Sequence, residues 1–323
     1  MPKETPVPTR SLPQAHAWMP TSPCGPECVE HEHSPSVGGP RVVARLAVAA
    51  LVLLAAAIAS PLLLITPAGL REKFARALFT GLLRAFGVRM VVHGRSRLMR
   101  RRDDRARGVM MVNNHISWLD VIALNSVQPM RALAKSELRS WPLLGGLIRR
   151  AGTVFVDREH LRSLPGMVDE LAAVFRDGSM VNVAGEGTTW CGMASGRYVP
   201  APFQAAIDGG AAVLPVALRY RVAGGQQTTA PAFIGTESLI ASLMRVARVR
   251  GLVVELFVCQ EIPAGRTADR RELADLTEST VLSALGIAAY LRSRPWQPPA
   301  MEPDAQSQHG SGQGGVRQPD SAA

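Results

Sequence analysis

Apolar runs and amphipathic stretches alternate along the middle of the chain. Short runs rich in Val, Met and Leu predict seven strands, at Met90–His93, Val109–Asn113, Ala132–Lys135, Thr153–Val156, Met180–Ala184, Val213–Arg219 and Val253–Cys259. Stretches of helical periodicity predict five helices, at Asp120–Ser126, Trp141–Arg150, Leu161–Arg176, Phe203–Asp208 and Arg270–Leu285. This alternation predicts an α/β domain over residues 89–291, with a mixed, largely parallel central sheet flanked by helices.

Residues 41–88 are predicted to form a membrane-embedded pair of helices. Leu46 to Ile65 carries no charge and is just long enough to cross a hydrocarbon core of about 30 Å, although Ser60-Pro61 interrupts it. In Arg71–Arg89, apolar positions at helical spacing are surrounded by cations, as in a helix that lies in the interface of an anionic membrane. A buried helix and an ordinary amphipathic core helix are the alternatives, and it stays open whether the first helix spans or re-enters the bilayer.

The two ends of the chain are predicted to be disordered. Residues 1–40 and 292–323 are rich in Pro, Ser and other polar residues and lack hydrophobic periodicity. The first of these segments contains four potential zinc ligands in a C-x3-C-x2-H-x-H arrangement, namely Cys24, Cys28, His31 and His33. Structural zinc sites usually place their two ligand pairs further apart, so we expect a tail without metal and leave metal binding open.

The charge balance narrows the choice of partners. A net charge of +10 and a pI near 10.4 favour nucleic acid, an anionic membrane surface or a phosphorylated small molecule. Aromatic residues make up only 5% of the chain and do not alternate with basic residues as they do in proteins that stack bases, so we expect no nucleic-acid partner. Cys191 and Cys259 lie far apart in apparently folded segments, which fits a reducing compartment.

His115 and Asp120 follow the predicted strand Val109–Asn113 and are the strongest candidates for catalysis. Residues five apart do not share a helix face, so the two side chains meet only if His115 lies in the turn and Asp120 in the first turn of the next helix. The imidazole could then act as a general base that the carboxylate orients. Ser117-Trp118-Leu119-Asp120 also matches an S-x-x-D capping box, which would explain Asp120 without chemistry.

Further polar motifs follow other predicted strands. Asp157-Arg158 ends one of them, and arginine suits bidentate recognition of phosphate, although two neighbouring charges on a surface are the plainer interpretation. Gly185-Glu186-Gly187-Thr188-Thr189 follows another, and its amides and hydroxyls could face an anion, unless it is a plain glycine-rich turn. Lys135 ends a short strand and could reach phosphate. In such sheets, active sites gather at the carboxyl ends of strands.

In order and spacing, these motifs resemble those of the glycerolipid acyltransferases, in particular bacterial 1-acylglycerol-3-phosphate acyltransferases. The matching blocks cover roughly residues 85 to 220 and are Asn114-His115-x4-Asp120, Lys135, Gly152 with Phe155-Val156-Asp157-Arg158, Glu186-Gly187-Thr188, and Val213-Leu214-Pro215-Val216. The resemblance implies a glycerol-3-phosphate acyltransferase-like fold. It also implies an enzyme in the cell membrane, with its catalytic domain on the cytoplasmic side, where the excess of Arg and Lys also points.

The resemblance further implies roles for these residues. His115 would deprotonate the free hydroxyl of a membrane lysophospholipid, most simply 1-acylglycerol-3-phosphate, while Asp120 orients the imidazole. Lys135 and Arg158 would hold the acceptor phosphate, Asp157 would be a further substrate-binding residue beside Arg158, and Glu186, Gly187 and Thr188 would shape the site. The acyl donor would be acyl-CoA or an acyl carrier protein thioester, with no cofactor and no metal.

Two departures from the family pattern concern the substrate. The third block of the family usually reads Phe-Pro-Glu-Gly-Thr-Arg, whereas this chain has Gly185 in place of the proline and Thr189 in place of the arginine. Loss of that guanidinium leaves open a different acceptor, such as a lyso-ornithine lipid. Arg197 is a possible substitute for it. A non-catalytic lipid-binding protein on the same fold is the alternative from a different functional class.

Overall fold

A single seven-stranded sheet carries the polar motifs. The computed structural model describes residues 20–30, 34–62, 65–99, 106–141, 144–158 and 160–287. The strands are β1 (Arg89–His93), β2 (Val109–Asn113), β3 (Arg131–Lys135), β4 (Val154–Val156), β5 (Met180–Ala184), β6 (Ala212–Arg221) and β7 (Val253–Val258). Each predicted strand is therefore confirmed, with its ends displaced by two residues or fewer.

The strand order places four of the motifs at one edge of the sheet. The order is β1-β7-β6-β2-β5-β3-β4, and the neighbouring strands are parallel except for β6 and β7. β2, β5, β3 and β4 thus run in one direction and lie side by side, so their carboxyl ends share an edge. The predicted mixed, largely parallel sheet is confirmed.

Helices cover both faces of the sheet. In the part of the chain that the structure describes, they are α1 (Glu27–Glu30), α2 (Gly39–Ala59), α3 (Ala68–Ala85), α4 (Arg95–Leu98), α5 (Trp118–Val127), α6 (Leu144–Arg150), α7 (Leu164–Arg176), α8 (Ala201–Asp208), α9 (Leu239–Arg248) and α10 (Arg270–Ala284). Side chains of α2, α3, α5 and α9 pack in one hydrophobic cluster, and those of α7, α8 and α10 pack in a second. The two clusters use opposite faces of the strands, because neighbouring residues such as Val213 and Leu214 on β6 divide between them.

The amino-terminal helices differ from their predicted form in two respects. α2 begins at Gly39 and ends at Ala59, so Ser60 and Pro61 terminate the apolar helix and do not kink it. It is the one helix among the described residues with the length and hydropathy of a membrane span. In the carboxyl-terminal half of α3, which contacts α5, Leu82, Leu83 and Ala85 are buried, so that half of its apolar face belongs to the protein core and not to a membrane interface.

Residues 20–30 and 34–38 do not form the expected disordered tail. Cys24 is buried in the core cluster, and Cys28 packs against it. Further on, the carbonyl of Pro35 accepts a hydrogen bond from the Arg250 N–H, and the Val37 N–H donates to the carbonyl of Arg248 at 2.8 Å. His31, His33 and the predicted tail at 292–323 lie outside the described residues. The segment before α2 is therefore attached to the α/β domain.

Candidate active site

His115 and Asp120 meet in the arrangement that their spacing requires. β2 ends at Asn113, His115 lies in the following turn, and Asp120 is the third residue of α5. The Nδ1 atom of His115 is 2.9 Å from Oδ2 of Asp120. The Asp120 side chain is almost fully buried, whereas about a quarter of the His115 side chain is exposed (24%). One end of the pair is thus shielded from water and the other end is open to it.

Asp120 also caps the helix, as the S-x-x-D pattern predicts. Its Oδ2 atom accepts hydrogen bonds from the backbone N–H groups of Ile116 (2.7 Å) and Ser117 (2.9 Å). The Ser117 hydroxyl in turn accepts the Leu119 N–H at 3.2 Å. Capping and contact with His115 are therefore two functions of one carboxylate, and the turn that carries His115 is fixed by the helix cap.

A tyrosine that sequence reasoning missed completes the surroundings of Asp120. The Tyr220 hydroxyl on β6 donates to Oδ1 of Asp120 at 2.7 Å. Since backbone amides and a hydroxyl already donate to this carboxylate, it acts as an acceptor, and the Nδ1 atom of His115 carries the hydrogen between them. The Nε2 atom of His115 is then the acceptor, and no described residue bonds to it.

The sequence did contain a signal for Tyr220. Side chains alternate along a strand, and the residues of β6 that face α5 are apolar except for this one, at Leu214, Val216, Leu218 and Tyr220. A hydrogen-bonding group on a buried face usually has a partner, and Asp120 is that partner here.

Glu186 joins the glycine-rich motif after β5 to the turn that carries His115. Its Oε2 atom accepts the His115 backbone N–H at 2.6 Å. Its Oε1 atom accepts the Ser195 hydroxyl at 2.7 Å and the Gly196 N–H at 3.2 Å. Burial raises the pKa of Glu186 to about 8, despite these hydrogen bonds. The Glu186 carboxyl therefore holds the backbone at His115 in place, and both of its oxygens already accept hydrogen bonds from protein groups.

The remaining predicted residues lie along the same edge of the sheet at increasing distance from His115. β5 is the neighbour of β2, β3 comes next and β4 follows. With strands spaced about 4.8 Å apart, Lys135 starts roughly 10 Å from the axis of β2, and Asp157-Arg158 roughly 14 Å from it. Lys135 is exposed, and Arg158 is partly buried, with its pKa lowered by burial.

Two charged candidates have partners within the protein. An Asp157 carboxylate oxygen is 2.9 Å from Nδ1 of His160, and another accepts the His160 N–H at 3.2 Å. Arg197 donates to Asp275 at 2.9 Å and lies 3.6 Å from a Glu278 oxygen, both on α10. Arg197 therefore points towards α10, and its position gives no support for a replacement of the guanidinium missing at Thr189.

Packing explains why position 185 is a glycine, which the sequence did not reveal. A Cβ atom at this position would lie 2.5 Å from the Tyr198 ring, which is nearer than any ordinary contact. Gly187 has a φ of +69°, in the left-handed region that favours glycine. Thr188 and Thr189 are partly exposed beside it. The turn is therefore shaped by two glycines, one for space and one for conformation.

Comparison with known proteins identifies the domain that contains these residues. A family model described as Acyltransferase matches residues 89–219. Over 175 residues the chain is 35% identical to the 1-acyl-sn-glycerol-3-phosphate acyltransferase of Neisseria gonorrhoeae; the match covers 54% of this chain and 68% of that protein. The chain belongs to the acyltransferase family. The matched segment includes β1 to β6 as far as Arg219 and the predicted site residues from His115 to Thr188, whereas Tyr220 lies one residue beyond it.

A relative with a different acceptor is equally similar, and a solved structure supports the fold. The lyso-ornithine lipid O-acyltransferase of Pseudomonas aeruginosa is 35% identical over 188 residues, which cover 58% of this chain and 71% of that protein. The crystal structure of the LPA acyltransferase PlsC from Thermotoga maritima aligns with a TM-score of 0.53 and 20% identity, over 80% of this chain and 100% of that one. The protein is therefore an acyltransferase enzyme with the fold of that structure.

Proposed function

We propose that this acyltransferase moves an acyl chain from an acyl thioester to the free hydroxyl of a lysophospholipid, with His115 as the general base. The observation that carries the proposal is the hydrogen bond of 2.9 Å between Nδ1 of His115 and the buried Asp120. It leaves Nε2 as a proton acceptor on the exposed side of the ring. No serine or cysteine nucleophile is needed, because the acceptor hydroxyl itself attacks the thioester.

The proposed reaction balances with one base. Nε2 of His115 takes the proton of the acceptor hydroxyl while the oxygen forms a bond to the thioester carbonyl carbon. When the tetrahedral intermediate collapses, the carbon–sulfur bond breaks and the thiolate takes the proton from the imidazolium. Asp120 stabilises that imidazolium and keeps the ring oriented, and Tyr220 holds the second oxygen of Asp120. The products are an acylated lipid and a free thiol, from acyl-CoA or an acyl carrier protein.

For the acceptor we favour 1-acylglycerol-3-phosphate, with Lys135 as the first contact for its phosphate. Lys135 begins roughly one strand spacing of 4.8 Å closer to His115 than Arg158 does, and its exposed side chain can extend along the edge of the sheet. Arg158 would hold the outer oxygens of the phosphate. Asp157 binds His160 in the structure, so we assign it a role in ordering this loop. Gly187 and Thr188 would line the site next to His115.

A lyso-ornithine lipid is the second candidate acceptor, and one observation favours it. Position 189 is a threonine, whereas the third block of the family has an arginine there. The nearby Arg197 does not replace that guanidinium, because it contacts Asp275. An acceptor without phosphate has less need of that cation. Relatives with both names are 35% identical to the chain, so overall identity does not decide between these acceptors.

An acyl-transfer assay on the purified full-length protein tests the base and the acceptor together. Labelled acyl-CoA is supplied with a panel of lysolipids that includes 1-acylglycerol-3-phosphate and a lyso-ornithine lipid. We expect His115→Ala to lower the rate by about 10³-fold or more, and Asp120→Asn to lower kcat while KM for the acceptor changes little. Lys135→Ala should raise KM for the phosphate acceptor only.

His93→Ala is the matched control. His93 ends β1, which runs opposite to β2, and its ring stacks on Phe257 at the other edge of the sheet. Its substitution should leave the rate close to that of the wild type. Equal rates for His115→Ala and the wild type would contradict the general base. Product from the lyso-ornithine lipid alone would contradict the phosphate acceptor and leave the base intact.

A further inference from the structure

Three cysteines from two distant parts of the chain meet beside the active-site loop. The thiol sulfurs of Cys24, Cys28 and Cys191 lie within 4.8 Å of one another. Cys24 and Cys191 are buried, Cys28 is partly buried, and the Cys191 N–H donates to Sγ of Cys24 at 3.4 Å. These contacts join residues that are 167 positions apart in the sequence. The cluster is therefore a product of the fold and not of local spacing.

The donor set and the spacing suit a thiophilic divalent cation such as Zn²⁺. Zinc in structural sites binds thiolates tetrahedrally at about 2.3 Å, so sulfur ligands of one ion lie about 3.8 Å apart. Cys24 and Cys28 are separated by three residues, which is within the usual range of C-x2-4-C for a ligand pair. A disulfide would use two of these sulfurs and leave the third unexplained, whereas one zinc ion uses all three.

We propose that Cys24, Cys28 and Cys191 bind one zinc ion that fastens the segment before α2 to the loop after β5. Each of these three residues supplies a thiolate, and the fourth position is open to water or to another side chain. His31 and His33 follow Cys28 in the sequence but lie outside the described residues, and the proposal does not depend on them. The remaining cysteine, Cys259, is not part of this cluster.

The position of the cluster gives the ion a role in the acyltransferase. The residue before Cys191 is Trp190, whose N–H donates to the carbonyl of His115 at 2.8 Å. In the same loop, Gly187 lies close to Pro20, because a Cβ atom at Gly187 would be 2.9 Å from the proline ring. An ion that holds Cys191 against residues 20–30 therefore holds the loop that supports the backbone of His115. Its role is to position the loop, and the ion takes no part in acyl transfer.

Metal analysis of the purified full-length protein tests the site independently of the proposed reaction. We expect about one zinc ion per chain, and Cys24→Ser, Cys28→Ser and Cys191→Ser should each lose most of it. Cys259→Ser is the matched control and should retain the metal. Replacement of zinc by Co²⁺ should produce a thiolate-to-cobalt charge-transfer absorption in the wild type and in the control, and a much weaker one in the other variants.

Reversible removal of the metal covers the case in which a serine variant fails to fold. A chelator should lower the melting temperature of the wild-type protein, and added zinc should restore it. A metal-free wild type that cannot be reloaded would overturn the proposal. So would zinc content that is unchanged in Cys191→Ser, or a disulfide between two of the three cysteines in the mass of the intact, unreduced protein. Because these measurements do not involve acyl transfer, they stand whether or not His115 is the base.

Discussion

At the scale of single residues, the site depends on two carboxyl groups with different surroundings. Asp120 is surrounded by donors, namely two backbone amides, the His115 ring and the Tyr220 hydroxyl. Glu186 is equally buried but accepts only two amides and a hydroxyl, and burial raises its pKa to about 8. Asp120 is thus suited to stabilise an imidazolium, and Glu186 is suited to hold the backbone of His115.

The raised pKa of Glu186 predicts a pH dependence of stability. The folded protein keeps a proton on this carboxyl up to about pH 8, whereas the unfolded chain releases it near pH 4.5. The free energy of unfolding should therefore fall as the pH rises through that window. Glu186→Gln cannot titrate and keeps a carbonyl oxygen for the His115 N–H, so its melting temperature should fall less over the same window.

Melting curves of the wild type, Glu186→Gln and Glu170→Gln at several pH values check this expectation. Glu170 is an exposed glutamate on α7, and its variant should follow the wild type. If the wild type and Glu186→Gln show the same dependence on pH, Glu186 does not titrate in this range in the folded protein.

Local spacing predicted some of these residues and could not have predicted others. His115 and Asp120 are five residues apart, so helix geometry and capping rules were enough to state how they meet. Tyr220 is 100 residues from Asp120, and Cys191 is 167 residues from Cys24. Contacts of that kind follow from strand order, which the periodicity of one strand does not contain.

At the scale of elements, the turn after β5 is matched to a tyrosine further along the chain. Gly185 donates its N–H to the Asn113 carbonyl, and its own carbonyl accepts the Val199 N–H at 2.8 Å. The Tyr198 ring fills the space in which a side chain at position 185 would lie. A proline at position 185, as in the family pattern, would therefore overlap the Tyr198 ring.

This match predicts an energetic coupling between Gly185 and Tyr198. Gly185→Ala should lower the free energy of unfolding by about 1–3 kcal/mol, because its Cβ atom would overlap the Tyr198 ring. Tyr198→Val should also destabilise, but the double variant should be less unstable than the sum of the two changes. Denaturant unfolding of the four proteins measures the coupling. Gly166→Ala on α7 is the control, since its new Cβ atom would have no atom within 4 Å apart from its chain neighbours and the backbone of its own helix. Strict additivity would show that the two positions do not compete for space.

The elements themselves were predictable where their pattern was strong. The strands were confirmed because each is a short apolar run that ends in turn residues. α9 was missed, although Leu239, Ile240, Leu243 and Met244 have helical spacing. α2 was placed too late in the sequence, because Arg41 and Arg45 interrupt its apolar pattern without interrupting the helix. Arg45 lies in the helix because its guanidinium donates to the carbonyls of Ala247 and Val249.

At the scale of the whole molecule, α2 lies along the α/β domain with one apolar face uncovered. Arg45 binds backbone carbonyls of the domain near one end of the helix, and Arg150 donates to Ser60 just beyond the other end at 2.9 Å. Large apolar side chains on the outer face are exposed, namely Val43, Leu51, Leu54 and Ile58. Since residues before and after α2 both contact the domain, the geometry favours a helix that lies in the membrane interface and does not cross the bilayer.

This arrangement predicts that both ends of α2 are on the same side of the membrane. A protease-cleavable tag placed before residue 20 should be as accessible as a tag after residue 287 when sealed vesicles are treated from one side. A spanning helix would protect one of the two tags.

Leu54→Asp/Ile58→Asp should weaken binding of the protein to lipid vesicles by at least about tenfold, because an aspartate costs up to about 3 kcal/mol in apolar lipid. Val91→Asp is the matched control, as Val91 is an exposed apolar residue on β1, away from this face. Equal binding of the wild type and the α2 variant would show that the uncovered face of α2 does not contact lipid.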